Sequence, residues 1–435
     1  MAMAKRWWIV AMILAMLALV ACNAASTEAP PASEGTESET AANGSENAAG
    51  NAAEPAAEDT VTITWWDYMS AEAIVGALTT IIEEYEAANP HVNIERTYVP
   101  FGDLKNKLLL GSAAGQLPDV IWIDNPDHQA FAAAGVLADI TKEVEEWGEA
   151  EHFFEGPWSS TMYDGKNYGI PNSSNNLALY YNADMLEAAG VEPPKTWDEL
   201  VVAAEKLTKP GVYGFAASAV RNEQGTFQFL PFVWQAGADL TSFDSQGTVD
   251  AIALWKTMVD GGYMSKEVLT QDQQAIMLQF VAGNVAMMVN GTWQIPALEK
   301  DATFNWDIVT LPTKAQGGTI LGGENWAITS TSKHKDVAWD IIKFAQQPEY
   351  LKTYLQAAGR LPSRKDLIED PFWQENERLK IFADGMATAK ARAYGPDYPK
   401  ISEAVQEMIH QVLTGVKSPE DAVKEADGKI KPLLP

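Results

Sequence analysis

Val61-Thr62-Ile63-Thr64-Trp65-Trp66 is a run of β-branched and aromatic residues, and it reads as a strand. Asp67-Tyr68-Met69-Ser70 then forms a loop into a helix over 71–88, which Asn89-Pro90 stops. A second strand over 92–99 and a helix over 101–114 lead to Asp119-Val120-Ile121-Trp122-Ile123-Asp124, a buried third strand that Pro126 breaks before the next helix. This β-α-β-α-β order predicts an α/β protein with a parallel sheet covered on both faces. The functional edge of such a sheet lies at the carboxyl ends of its strands. Trp66-Asp67 and Asp124-Asn125 fall at two such ends and are expected to face one crevice.

The alternation continues with less regularity. Gly169-Ile170-Pro171-Asn172 leads to a strand over 177–181, and Thr196-Trp197-Asp198-Glu199 is a capping box opening a helix to Leu207. Helices are predicted over 224–235, 249–260 and 271–282, then a strand over 285–289 and the turn Asn290-Gly291-Thr292-Trp293. Gly322-Gly323-Glu324-Asn325 reads as a glycine-flanked segment ahead of a strand at Ile328-Thr329. Helices dominate the remainder, and Ser418-Pro419 places proline at the first helical position behind a serine cap.

Upstream of this folded part lies a different kind of sequence. Lys5-Arg6 precedes an apolar run over 7–21, too short to span a bilayer but suited to the core of a secretory signal. Cys22, the chain's one cysteine, follows Leu19-Val20-Ala21 and is similar to the acylated cysteine of a bacterial lipobox. Residues 23–60 hold eight acidic residues, no basic one and no aromatic. Such a segment buries too little apolar surface to offset its ordering entropy, and as a coil it reaches roughly 35 Å. The expected layout is a signal over 1–21 and a lipid anchor with an acidic tether over 22–60. The chain would then be exported and held at the outer face of the cytoplasmic membrane.

Composition removes several classes of function. The net charge of −28 becomes −30 once Lys5 and Arg6 leave with the signal, which argues against nucleic acid and anionic lipid surfaces as partners. The five histidines show no ligand-like spacing, so neither a metal nor a cofactor is expected. No Walker loop, dinucleotide glycine fingerprint or Gly-x-Ser-x-Gly elbow occurs. Against this sparse catalytic vocabulary stand thirteen tryptophans after the signal.

From residue 61 onward several short stretches stand in a telling order: Tyr85-Glu86-Ala87-Ala88-Asn89-Pro90, Leu117-Pro118-Asp119-Val120, Tyr168-Gly169-Ile170-Pro171 and Leu179-Tyr180-Tyr181-Asn182. After them come Phe280-x-x-Gly283-Asn284 through Gly291-x-Trp293, Gly322-Gly323-Glu324-Asn325 and Gly359-Arg360-Leu361-Pro362-Ser363. In these stretches the chain resembles the extracellular solute-binding proteins of bacterial ABC importers, of the carbohydrate-binding type. The resemblance implies a two-lobed periplasmic-binding-protein fold, each lobe a mainly parallel sheet flanked by helices, with three hinge crossovers. It places residues 61–171 and 327–372 in one lobe, and 172–326 and 373–435 in the other. It also implies a monomer that hands a sugar or oligosaccharide to an ABC permease without chemical change.

A sugar is recognised by stacking aromatic faces on its C–H patches and by amide or charged groups that hydrogen-bond its hydroxyls. Trp66, Asp67, Asp124, Asn125, Asn175, Gly323, Glu324 and Asn325 supply that mixture at strand ends and crossovers. Only one of Trp65 and Trp66 can face the cleft, since side chains alternate along a strand, and Trp66 adjoins the polar turn. Asp124 serves binding or caps the helix after it, and Trp234 is either core or platform. Trp293 matches the family's Gly-x-Trp platform. Glu324 either accepts from a sugar hydroxyl or forms an ion pair, for which Arg360 is the candidate partner; Arg360 also holds a position where relatives place a ligand contact, while Arg221, Tyr394 and Tyr398 lie in loops tied to specificity. Trp122, Asn222, Trp255, Trp306 and Trp339 are read as core or surface. Competing functions are a glycoside hydrolase built on paired carboxylates, a surface adhesin, and a receptor for a polyamine, a glycerophosphodiester or a peptide.

Overall fold

The computed structural model describes residues 60–435; the signal, Cys22 and nearly all of the tether lie outside the described residues. Along the chain come strands β1 (Val61–Asp67), β2 (Val92–Tyr98) and β3 (Val120–Asp124), the hairpin β4 (Met162–Tyr163) and β5 (Lys166–Asn167), and β6 (Ile170–Pro171). After them follow β7 (Leu177–Asn182), β8 (Met287–Gly291), β9 (Trp306–Val309), β10 (Thr319–Ile320), β11 (Glu324–Ile328) and β12 (Ala389–Lys390). Helices flank them, and two sheets organise the two-lobed α/β fold.

The larger sheet has the order β2-β1-β3-β11-β6. β1 runs parallel to both β2 and β3, as the β-α-β-α-β pattern requires. β11 lies antiparallel to β3, with Glu324 opposite Asp124 and Ile328 opposite Val120. This strand enters from the other side of the crossover, so it starts where the parallel strands end. It also begins earlier than expected. Glu324, Asn325 and Trp326 are strand residues of the larger sheet, although the sequence reading gives them to the other half.

The smaller sheet has the order β8-β7-β9, and here the expectation of mainly parallel strands is corrected. β7 pairs antiparallel with both neighbours. The chain leaves the crossover along β7 and comes back toward it along β8, so their directions oppose. Parallel bridges from Tyr213 to Val285 and from Ala216 to Met288 extend this sheet.

Three indoles from adjacent strands fix the core of the larger sheet. Trp65, Trp122 and Trp326 are fully buried, with ring centroids 4.8–5.3 Å apart. Tilted and edge-to-face contacts at that spacing add about 0.5–1.5 kcal/mol per pair beyond the area they bury. Trp66 points to the other face, where it packs with the helix Phe101–Ala114 and carries Lys107 Nζ 4.0 Å above its ring. The predicted alternation along β1 is thus observed. Trp255, Trp306 and Trp339 are buried too.

Local signals behave as the sequence reads. Thr196 Oγ1 accepts from the Glu199 N–H at 3.2 Å, and the Glu199 carboxylate accepts from the Lys195 N–H, which starts the helix Trp197–Leu207. Ser418 caps Pro419–Ile430 in the same manner. At the crossover Gly323 adopts φ +150°, and a Cβ there would lie 2.1 Å from the Ser173 carbonyl oxygen. Glycine alone permits that approach.

Candidate ligand-binding site

A cavity of about 400 Å3 opens at the carboxyl ends of β1, β2 and β3, within the size range of small-molecule sites. Its walls come from chain segments that meet only in the folded state. Tyr68 follows β1, and Tyr98, Pro100, Phe101 and Gly102 follow or end β2. Asp124 ends β3, Glu324 starts β11 directly opposite it, and Asn175 lies on the crossover into β7. The other wall is built from helix starts. Asn222, Glu223, Gln224 and Phe227 belong to the opening of Glu223–Gln235, and Asp272, Gln273 and Gln274 to that of Gln273–Val281. Trp293 and Gln294 follow β8, and Arg360 and Arg392 complete the lining.

Trp293 is placed by its neighbour. A Cβ on Gly291 would fall 1.9 Å from the indole, so the ring can fold back over the strand end only because residue 291 has no side chain. Arg360 lies over the Trp293 ring at 4.9 Å and donates to Glu324 Oε1 at 2.8 Å. Glu324 also accepts from the Ser173 hydroxyl. Across the cavity Arg392 repeats the arrangement. Its guanidinium lies 4.5 Å above Phe227, donates to Glu223 Oε1 at 2.5 Å and to Asn125 Oδ1 at 3.0 Å, and reaches both Asp124 oxygens at 3.4 Å. Phe227 and Trp293 are 6.3 Å apart. Carboxylate, guanidinium and aromatic ring therefore alternate around the cavity. Glu223 is anchored further by the hydroxyls of Tyr398, at 2.7 Å, and Ser402, at 2.5 Å.

The electrostatics follow from burial. Desolvation pushes the Asp124 carboxyl up to about 7; Arg392 pulls it down, while Glu223, Asp127 and Glu324 push it further up. Burial works against the charge on Arg392, but Asp124 and Glu223 more than offset it and hold the guanidinium above its usual value. Burial also works against the charge on Arg360, but Glu324, Tyr354, Tyr68 and Asp124 together offset it and hold the guanidinium above its usual value. Burial raises the Tyr68 hydroxyl well above the ordinary tyrosine range.

Five of the residues chosen from sequence line this cavity: Asp124, Asn175, Trp293, Glu324 and Arg360. Arg221 lines an adjoining cavity of about 200 Å3 that shares Asp124, Asn222 and Glu223 with the first. Asn125 stands behind the wall as an acceptor for Arg392. Gly323 forms the turn before β11, and Asn325 donates to Ser160 from within that strand. Others lie elsewhere. Asp67 is fully buried in a two-pronged pair with Arg96, both contacts 2.6 Å, and Trp66 is on the far face of the sheet. Trp234 is core, with Lys390 Nζ 5.4 Å over its ring. Tyr394 stacks on Tyr398 and donates to Asp239.

Sequence reasoning passed over Tyr68, Phe101, Asn222, Glu223, Phe227, Gln273 and Arg392. Asn222 and Asp272 carried a usable signal, since each caps the helix that follows, and helix starts face this cavity. Arg392 carried none, being 268 residues from Asp124. Among the described residues no three His, Cys, Asp or Glu side chains are placed to hold a metal ion, and no helix is long and apolar enough to cross a membrane.

Two lobes with a polar, aromatic cavity at their strand ends define a solute-binding class of protein. The family model for bacterial extracellular solute-binding proteins matches residues 80–381, and the chain belongs to that family. It is similar to the maltotriose-binding protein of Pyrococcus abyssi, 28% identical over 80% of this chain and 76% of the relative. A Thermotoga lettingae ABC-transporter solute-binding protein bound with α-D-tagatose superposes with a TM-score of 0.81 at 26% identity, covering 86% of this chain and all of that one. The GacH receptor of Streptomyces glaucescens, solved unliganded and with acarbose, gives 0.80 at 27% identity over 87% and 99% of the two chains.

Proposed function

We propose that this chain is the lipid-anchored receptor of an ABC importer, which captures a sugar or oligosaccharide in the cavity and delivers it to a membrane permease. The carrying observation is the lining itself. Trp293, Phe227, Tyr68 and Phe101 contribute aromatic surface, and Asp124, Asn175, Asn222 and Gln273 contribute hydrogen-bonding groups, within one cavity of about 400 Å3. Relatives named for maltotriose and diacetylchitobiose binding, and neighbours solved with tagatose and acarbose, support a carbohydrate.

The lobes are taken as 61–171 with 327–372, and 172–326 with 373–435, with β11 at the crossover itself pairing its first residues into the larger sheet, and they close on ligand by a hinge motion. Closure would be a population shift, since ligand contacts come from both halves. Attachment through Cys22 fits a receptor working at the membrane surface, and a monomer suffices because one chain supplies the whole lining.

Hydrolysis is the less favoured reading. A glycosidase needs one carboxylic acid to give its proton and a second carboxylate free to act. Here Glu324 is tied to Arg360 and Ser173, and Asp124 and Glu223 share Arg392. The test is calorimetric titration of the purified protein with maltotriose, diacetylchitobiose and tagatose, alongside an assay for reducing-end release. Saturable binding without turnover is expected. Sustained release of reducing ends, or no binding to any sugar, would reject this reading.

A further inference from the structure

A site for an organic cation combines carboxylates with the face of an aromatic ring. This cavity has both, and its own side chain already fills the place. Arg392, with a side chain only 1% exposed, sits between Asp124 and Glu223 and over Phe227. Arg360 does the same between Glu324 and Trp293. Among the described residues the one remaining acid in the wall, Asp272, gives an oxygen to the Ala275 N–H as a helix cap at 2.8 Å.

What stays unmet is of the opposite kind. The Nε–H groups of Arg360 and Arg392 are buried with no hydrogen-bond partner. Buried donors left in that state are costly, and a protonated solute, which would bring only further donors, could relieve neither of them. A protonated amine carries donors only, whereas a hydroxyl carries a donor and two acceptor lone pairs.

We propose that Arg392 is a specificity-determining residue that excludes cationic solutes, by occupying the carboxylate-and-ring position such a solute would need, and so restricts the site to uncharged, hydroxyl-rich ligands. This deepens the sugar reading and rests on it. It also sets aside the polyamine, whose charge would meet an arginine where it required a vacant carboxylate pair.

The experiment titrates three proteins (wild type, Arg392→Ala and Arg392→Lys) with spermidine, with guanidinium at low millimolar concentration, and with neutral sugars including maltotriose and diacetylchitobiose. Calorimetry and thermal unfolding provide the readouts. Wild type is expected to bind a neutral sugar and to give no heat with spermidine. Arg392→Ala should gain at least about tenfold in affinity for spermidine or guanidinium, because removing the cation uncovers two carboxylates and a ring face. Guanidinium should also recover part of its sugar binding. Arg392→Lys keeps a cation in place and should still refuse spermidine, and it is the gain in Arg392→Ala that a purely structural role for Arg392 does not predict.

Should Arg392→Ala fail to fold alone, recovery of its cooperative unfolding by guanidinium supports the proposal. No recovery, together with a lysine variant that takes spermidine, overturns it. Wild type binding spermidine as well as its best sugar overturns the proposal and leaves the sugar reading intact. Wild type silent to every sugar, with Arg392→Ala gaining spermidine, does the reverse.

Discussion

Asp67 and Asp124 end neighbouring parallel strands, and from sequence they look equivalent. The structure gives them different lives. Asp67 is met by Arg96 of β2, whose guanidinium grips both carboxylate oxygens, and by the Met69 N–H at 2.7 Å. Nothing of it reaches the cavity. Asp124 has no cation on an adjacent strand. Its partner Arg392 arrives from distant sequence and holds it at 3.4 Å, and the carboxylate lines the cavity. A strand end locates the crevice, but whether a carboxylate serves ligand or fold depends on which cation the neighbouring segments supply.

Four substitutions break or sharpen this contrast. Asp67→Ala should have the largest effect, because it strands Arg96 beside a buried site. A loss of about 3–5 kcal/mol in urea unfolding is expected. Sugar affinity in the protein that remains folded should be unchanged. Trp293→Ala should leave the fold largely intact and weaken sugar binding by about 2 kcal/mol, roughly thirtyfold, read by calorimetry.

Asp124→Asn should act through pH. The folded carboxyl titrates near 7, above the ordinary value of about 3.9, so the native state retains a proton that the unfolded chain releases. That stabilisation is fully present below about pH 4 and is lost as pH rises toward 7. Across this window the unfolding free energy of wild type, taken relative to that of Asp124→Asn, should fall with pH by at most about 1.4 kcal/mol per pH unit, the share that this one carboxyl contributes. Smallest is Trp66→Ala, which removes an indole from the far face of the sheet. Its cost should appear in stability, with sugar affinity held within about twofold of wild type.

Much of this was legible early. The β-α-β-α-β run fixed the parallel pairing of β1 with β2 and β3, and with it the side on which a cavity forms. Parity along β1 separated Trp65 from Trp66, but neither indole lines the cavity, which lies beyond the strand ends and is lined by Tyr68 instead. Gly-x-Trp at 291–293 was readable for a steric reason now visible, the indole lying against a bare backbone. The antiparallel β7–β8 pair was not, because short apolar strands separated by several helices carry no direction in their sequence. Nor was the ring of arginines and aromatics. Its members are contributed by helix starts and loops, and no local pattern links residue 392 to residue 124.

In the proposed function a neutral sugar rests in the cavity between Trp293 and Asp124. A crystal structure of the protein with the sugar that most raises its melting temperature tests this directly. The predicted result is a pyranose or furanose ring against Trp293 or Phe227, its hydroxyls within hydrogen-bond reach of Asp124 or Asn175, with Arg392 still seated on Phe227. A sugar bound outside this lining, or Arg392 displaced from Asp124 and Glu223 by the ligand, would contradict it.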